Sequence, residues 1–307
     1  MSDINFKTEM EFIYGESRIL AAGVQRIVAE NPSVFTYKGT NTYIIGQGDD
    51  LAVIDPGPED ESHFTAIMKA VGTKRVTHIF ITHSHGDHID GLPRLATATG
   101  AKVYGYGRQT YERDKEYVSP FGKKPPDLTF IPDVKLADGE KVTGSDWALT
   151  AVFTPGHTPD HMCFQLDGTG ILFSGDHVMA WNTSVIAPPD GHMGDYFTSL
   201  EKLLERTDSV FYPGHGGQIT DPKRFTKAYL LHRKVRERAI LSSISKGCHT
   251  IPDIVSQVYK GLDKRLITAA SLSVLAHIEH MVQKGLIDVE QPITSSSILA
   301  PAADQNK

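Results

Sequence analysis

The 307-residue chain is predicted to fold as an α/β domain followed by a small helical domain. Three features carry that expectation. Short apolar runs ending in Gly- or Pro-marked turns recur up to residue 215, and they alternate with segments of helical spacing. Residues 252–289 read as helices followed by one short strand. Between the two lies a long charged segment opened by Pro222, a residue suited to the first turn of a helix.

Residues 1–16 are polar and are expected to form a flexible N-terminus. Alternation through 19–28, 42–46 and 51–54 predicts a strand meander with a turn at Asp49-Asp50. Asp55-Pro56-Gly57-Pro58 ends it, and Phe64, Ile67, Met68 and Val71 share one face of a helix over 59–71. Residues 76–81 are a fully apolar strand, and 87–99 read as a single helix. Residues 105–135, with Pro120, Lys123-Lys124 and Pro125-Pro126, read as an irregular insertion of the kind that walls a cleft. Strands are expected at 128–131, 149–153 and 162–166, the last closing a hairpin at Asp167-Gly168, and short apolar strands at 171–173 and 210–212. Residues 195–206 form an amphipathic helix with Asp195 as its N-cap and Phe197, Leu200, Leu203 and Leu204 inward.

The first domain is placed at 17–233, with the boundary inside the helix that Pro222 opens. Helices at 252–259 and 264–284, a Gly285 cap and a strand at 286–289 fit a winged helix over 234–290. Residues 291–307 are rich in Ser, Ala and Pro and are expected to be a disordered tail.

The chemistry concentrates at the ends of the strands. Thr82-His83-Ser84-His85-Gly86-Asp87-His88 follows the apolar run 76–81 directly. A solvated His-rich turn is the plain alternative. Three imidazoles and a carboxylate packed this closely behind a strand suit a transition metal, and a catalytic metal needs ligands that leave a position open for water. Further ligand types stand after later strands: His157 in Thr-Pro-Gly-His-Thr, Asp176 in Phe-Ser-Gly-Asp-His and His215 in Tyr-Pro-Gly-His-Gly. A strand end delivers a side chain from a rigid base, and the turn after it exposes that side chain.

The order H-x-H-x-D-H, Gly-His-Thr, Ser-Gly-Asp and Pro-Gly-His-Gly resembles the metallo-β-lactamase superfamily. That resemblance implies an αββα sandwich with a dinuclear site at one edge. It implies that His83, His85 and His157 hold one metal, that Asp87, His88 and His215 hold a second, and that Asp176 bridges them. The segment from Asn31-Pro32-Ser33 to Lys38-Gly39-Thr40-Asn41, together with Ser174-Gly175-Asp176-His177 and His232-Arg233-Lys234-Val235-Arg236, is similar to the lactamase-beta-like protein 2 family. That family joins a metallo-β-lactamase domain to a small winged helix, and its animal members resemble single-strand-selective endoribonucleases. Here Ser84 and Gly86 stand where those animal members carry Trp and Arg, so a phosphate contact that Arg could make is lacking.

On this reading the cofactor is two Zn2+ per chain, with manganese or iron compatible with the same donors. Two such ions lower the pKa of a bridging water and polarise the electrophile, whether carbonyl carbon or phosphorus. Asp87 is the candidate catalytic proton acceptor. His192, in Pro-Pro-Asp-Gly-His with Asp190, could protonate a leaving alkoxide or simply be a surface histidine. The N-terminus of the 87–99 helix would aim N–H groups at an anion near the metals. Lys38 is the preferred anion contact, and Trp181 with Tyr37 could stack a base or wall a pocket. His177 is expected to face away from the metals in a supporting role, while His161 and His63 are expected to be structural or solvated. Cys163 alternates with Met162 and Phe164 and reads as core.

Composition narrows the setting. A net charge of −6 argues against an unspecific grip on nucleic acid, although Lys223, Arg224, Lys227, Arg233, Lys234, Arg236, Arg238 and Lys246 stand against Glu237 alone. That stretch is either the solvated face of a helix or a phosphate-facing ridge. No apolar run approaches the roughly 18–20 residues that span a bilayer, the start has no signal-peptide pattern, and no membrane partner is expected. Two cysteines in separate domains suit a reducing cytoplasm.

The favoured function is a two-metal hydrolase of single-stranded RNA. The alternatives are a hydrolase of a carboxylic ester, thioester or lactone as small-molecule substrate, and a winged-helix DNA-binding regulator with a metal-sensing domain. The 264–284 helix carries Lys264, Arg265 and Lys284 but lacks the Arg, Asn and Gln cluster needed for base readout, so packing or homodimer formation is its expected role.

Overall fold

Alternation within single strands decides the architecture. In β3 (Asn41–Ile45), Tyr43 and Ile45 enter one core and Ile44 another. In β10 (Met162–Leu166), Met162, Phe164 and Leu166 enter that first core while Cys163 faces a third. Side chains alternate across a strand, so sheets buried on both faces need a layer on each side.

The computed structural model describes residues 4–108, 129–291, 293–294 and 296–302, and it supplies those layers. The first sheet runs β1 (Arg18–Ala21), β2 (Val24–Val28), β3, β4 (Asp50–Ile54), β5 (Arg75–Phe80), β6 (Lys102–Gly105) and β7 (Val134–Lys135). The second runs β12 (Val210–Pro213), β11 (Ile171–Gly175), β10, β9 (Ala148–Phe153) and β8 (Lys141–Thr143). Between them pack Tyr43, Ile54, Phe80, Phe164, Phe173 and Tyr212. Helices α1 (Glu61–Val71) and α3 (Leu92–Thr99) cover the first sheet through Ile67, Val71 and Leu95. Helices α4 (Met193–Leu204) and α5 (Pro222–Ser245) cover the second through Tyr196, Leu200, Phe225 and Tyr229. This is the αββα sandwich.

Two parallel pairs, β4–β5 in the first sheet and β11–β12 in the second, set the position of the site. Parallel neighbours bring their C-terminal ends, and the loops after them, to one edge. The sheets are joined near that edge by a Met162 N–H bond to the Thr82 carbonyl at 2.7 Å.

Several local expectations change. The helix read over 87–99 is two, α2 (Gly86–Ile89) and α3. Gly91 donates its N–H to the Gly57 carbonyl at 2.9 Å, and a Cβ there would stand 2.9 Å from the Pro58 carbonyl oxygen. With Pro93 opening α3, the chain must break at this point. Four residues align too few peptide dipoles to make an anion site, so that expectation falls. Of the strand expected at 128–131, residue 128 lies outside the described residues, and among the described ones Phe130 makes an isolated bridge with Arg108 in place of a ladder. The short strands β6, β7 and β8 escaped the pattern, and most of the 105–135 insertion lies outside the described residues.

The N-terminal segment is tied down. Lys7 donates its N–H to Ala180 at 2.8 Å, Arg26 reaches the Glu11 carbonyl at 2.7 Å, and Ile4 and Phe6 pack against the outer core of the second sheet.

Helix α5 spans 24 residues, with Phe225 and Tyr229 in the sandwich and Ile240 and Ile244 in a separate C-terminal core. That core gathers Ile254 from α6 (Ile251–Val258), Val274, Leu275 and Ile278 from α7 (Ile267–Gln283), and Ile287 from β13 (Ile287–Asp288). The wing is completed by β14 (Ala300–Pro301), antiparallel to β13. The tail read as disordered is therefore in part structured: Leu299 is fully buried and donates its N–H to His249 at 2.9 Å. One anchoring leucine among Ser and Ala was invisible to composition. Leu299→Ala is expected to cost about 2–3 kcal/mol in urea unfolding of the C-terminal domain, whereas a free tail would show no change. Among the described residues no helix is long and apolar enough to cross a membrane.

Candidate metal centre

Four loops at the shared edge carry the polar side chains. The loop after β5 and the start of α2 bring His83, His85, Asp87 and His88, the β9–β10 turn brings His157, the end of β11 brings Asp176, and the end of β12 brings His215. The seven residues converge. Ligand atoms of His83, His85 and His157 lie within 4.8 Å of one another, as do those of His83, His88 and Asp176 and those of Asp87, His88 and His215.

The histidines are aimed from behind. His157 Nδ1 donates to the Val185 carbonyl at 2.7 Å, and His215 Nδ1 donates to the Gly39 carbonyl at 3.2 Å. His88 Nδ1 contacts Asp55 Oδ2 at 2.8 Å, and His83 Nδ1 contacts Thr82 Oγ1 at 2.9 Å. Each contact fixes the ring and leaves Nε2 facing the common centre. His85 instead faces His83 and His157 through Nδ1, at 3.1 and 3.0 Å, while its Nε2 lies 3.7 Å from Asp190. Asp190 is itself paired with Arg108.

Asp176 stands between the two groups: its carboxylate lies 3.3 Å from His215 Nε2, 3.6 Å from His88 Nε2 and 3.8 Å from His157 Nε2. His88 Nε2 and Asp176 Oδ1 are buried without a hydrogen-bond partner. Buried polar atoms are rarely left unpaired, and here both belong to transition-metal donor types. The residues fit a divalent metal.

Electrostatics agree. Burial would push Asp176 up, but the imidazoles of His215 and His88 hold it well below the usual carboxylate range. Burial also opposes Asp87, which His88 and His215 hold low. Against burial, Asp176 lifts His215 to about 9, and Asp87 and Asp176 lift His88 well above the ordinary imidazole value. Burial depresses His157 to about 4 and holds His83 well below the ordinary imidazole value.

Glycine makes room for this packing. A Cβ on Gly214 would stand 2.3 Å from Asp176 Oδ1 and 2.8 Å from the His88 ring. Gly214→Ala is therefore expected to lower metal affinity about 10–100-fold, as loss of ligand support does, in a competitive chelator titration. Unchanged affinity would mean that these two ligands tolerate displacement.

The remaining candidates sit elsewhere. His192 is the N-cap of α4: its Nδ1 accepts from the Asp195 N–H at 3.2 Å, and Nε2 meets Gln283 at 3.3 Å. It does not line the metal cavity and displaces Asp195 as the cap. Trp181 and Tyr37 stack on each other at 4.9 Å and 13°, which occupies a face of each. Lys38 is exposed, its ammonium 5.4 Å from the Tyr37 ring, and the entry loop reaches the site through Gly39 and Thr40 instead. Along α5, Arg233 is buried against the Ser184 carbonyl and Arg236 lies 4.2 Å from the Tyr259 ring. The other six cations of that stretch are exposed, and none lines the cavity.

His177 is buried against Tyr196, with rings 4.6 Å apart, and makes no hydrogen bond to a ligand. Cys163 is buried, and burial raises its thiol to about 12.

Two supporting residues were missed. Asp55, 2% exposed, accepts from the Thr82 N–H at 2.8 Å and the Thr82 hydroxyl at 2.7 Å while contacting His88. His161 Nε2 accepts the Asp176 N–H at 3.2 Å, so it positions the central carboxylate. An Asp directly before Pro-Gly-Pro at a strand end was the available signal for the first; nothing in the sequence marks the second.

The centre opens into a cavity of about 530 Å³. His85, Asp87, His157, Asp176, Asp190 and His215 form its polar part. Phe35, Met179, Val185, Ala187, Ala269 and Leu272 form apolar walls, and Arg265 is the one Lys or Arg among the described lining residues.

Comparison with known proteins gives a consistent picture. The model of the "Metallo-beta-lactamase superfamily" matches residues 36–215, and that of the "Beta-lactamase associated winged helix domain" matches 250–292. The "Beta-lactamase-like protein 2 homolog" of Drosophila melanogaster is 32% identical over 282 residues, covering 89% of this chain and 92% of the relative. A protein of Claviceps purpurea named "Atrochrysone carboxyl ACP thioesterase" is 26% identical over 257 residues, covering 80% of this chain and 76% of its own. A solved metallo-beta-lactamase family protein from Thermus thermophilus shares the fold with a TM-score of 0.73 at 20% identity, covering 92% of this chain and 100% of that one.

Proposed function

The chain belongs to the metallo-β-lactamase superfamily of hydrolases and carries the associated winged helix, and on that premise we propose that it hydrolyses a carboxylic thioester or ester whose acyl part lies in the apolar-walled cavity. The observation that carries this reading is the cavity wall. Phe35, Met179, Val185, Ala187, Ala269 and Leu272 offer an acyl chain a water-poor surface beside the metal ligands. A single RNA strand calls instead for a basic groove with free aromatic faces, and the α5 cations and the Tyr37–Trp181 pair supply neither at this cavity. The name of the Claviceps purpurea relative is in keeping with acyl-thioester chemistry.

His83, His85 and His157 would hold one divalent ion and Asp87, His88 and His215 a second, with Asp176 between them. When bound, two zinc ions would supply Lewis acidity and an activated water near neutral pH. The chain's own residues do the rest. Asp87, hydrogen-bonded by Thr40 at 3.3 Å and partly open to the cavity, is the proton acceptor at its carboxylate. Asp55, His161 and Asp190 orient His88, Asp176 and His85. The apolar walls exclude bulk water from the bound acyl group.

Metal-reconstituted protein and an Asp87→Ala variant, assayed on acyl thioesters, esters, lactones and labelled single-stranded RNA, test the proposal. Turnover of thioesters or esters that the variant loses, with RNA intact, is expected. Metal-dependent cleavage of RNA without acyl turnover would restore the nuclease reading.

A further inference from the structure

Part of the cavity wall comes from the C-terminal domain. Thr268, Ala269 and Leu272 line it from one face of α7, and Arg265 lines it from the short 3-10 turn Lys264–Leu266 that leads into that helix, where the sequence had suggested one helix from residue 264. The winged helix thus shapes the substrate pocket of the metal domain. Arg265 differs from the other lining residues. The other charged or titratable groups among the described lining residues are imidazoles and carboxylates of the metal centre and Asp190, which Arg108 pairs, whereas Arg265 supplies a permanent cation away from them in the chain.

Its present partner is local and exchangeable. The guanidinium grips Asp263, two residues earlier, with Nε at 3.1 and 3.2 Å and a terminal nitrogen at 2.7 Å. The two side chains are 74% and 44% exposed. Exposed pairs of this kind contribute little to stability, so an incoming anion meets a preformed fork that it can take over at small cost.

We propose that Arg265 binds an anionic group carried by the substrate away from the scissile bond, making the substrate an acidic acyl thioester or ester. This rests on the acyl-hydrolase reading above. The anion is a carboxylate on the acyl chain or a phosphate on the thiol carrier, and both offer the oxygens that a guanidinium fork matches. Asp263 keeps the site neutral when it is empty.

Two matched pairs separate the sources: glutaryl against pentanoyl N-acetylcysteamine, and butyryl 4′-phosphopantetheine against butyryl pantetheine. Arg265→Met is expected to raise KM for the anionic member of one pair about tenfold relative to its neutral partner, with the change in KM and not in kcat. Arg265→Lys should recover part of that difference, and Asp263→Asn should lower KM for the same anionic member. A change by Arg265→Met that is equal for both members of both pairs, or none, would overturn the proposal while leaving the acyl reading standing. Absence of any thioester or ester turnover by the wild-type protein would remove both.

Discussion

Asp176→Asn is expected to lower kcat/KM by about a thousandfold or more while the protein stays folded. The substitution keeps shape and removes one charge. That charge lies within 3.8 Å of the Nε2 atoms of His88, His157 and His215, so it is the group common to both halves of the centre. Losing it takes a carboxylate from between the two donor groups, which would weaken retention of a divalent ion and with it the lowering of a water's pKa that such an ion supplies. The Asp176 backbone N–H bond to His161 is kept, which is why the fold should persist. Steady-state kinetics beside near-UV circular dichroism checks both halves of the expectation. Activity within tenfold of wild type in a folded variant would mean that Asp176 does not serve as the common ligand.

The second large effect concerns a residue that touches no metal. Asp55→Ala is expected to destabilise the protein by about 3–4 kcal/mol and to weaken metal binding together with it. Removing this buried carboxylate strands the Thr82 N–H, the Thr82 hydroxyl and His88 Nδ1. It also places alanine at φ 52°, a left-handed conformation that Asp and Asn tolerate better. Asp55→Asn separates the two contributions: it should recover much of the stability yet still lower metal affinity about 10–100-fold, because its amide cannot accept all three hydrogen bonds. Denaturant unfolding and chelator competition on the pair of variants measure the two quantities. A wild-type midpoint for Asp55→Ala would show that the hub carries no structural weight.

The seven side chains that converge were legible because their chemistry is concentrated and their placement is local. An imidazole or carboxylate straight after an apolar strand has little else to do, and the strand end fixes where it goes. The helices α1, α4 and α7 were legible for a similar reason, since each presents an apolar face at helical spacing, whereas α5 was legible from Pro222 at its first turn. What failed depends on contacts distant in sequence. Asp55 meets His88 across 33 residues and Arg108 meets Asp190 across 82, and no window reveals such pairs. Trp181 looked available until its ring met Tyr37. His192 looked catalytic because it follows Asp190 in a loop between two ligand-bearing strands, yet a histidine nitrogen can cap a helix as a carboxylate does, and the backbone used it that way. The short edge strands β7 and β8 hold two and three residues, too few for alternation to register. Residues 109–128, where an insertion was expected, lie outside the described residues.

Recruitment of the C-terminal domain to the cavity has the same origin. Arg265 and Leu272 read as ordinary positions on a helix, and only the folded chain brings their face beside Asp87 and His215. The cavity is therefore lined jointly by both domains.

Elemental analysis of protein stripped with chelator and reloaded with zinc, beside a His157→Ala control, tests the convergence of the seven side chains most directly. About two divalent ions per wild-type chain are expected, with clear loss in the control. Well under one ion per chain in folded wild-type protein, or equal content in both, would contradict it.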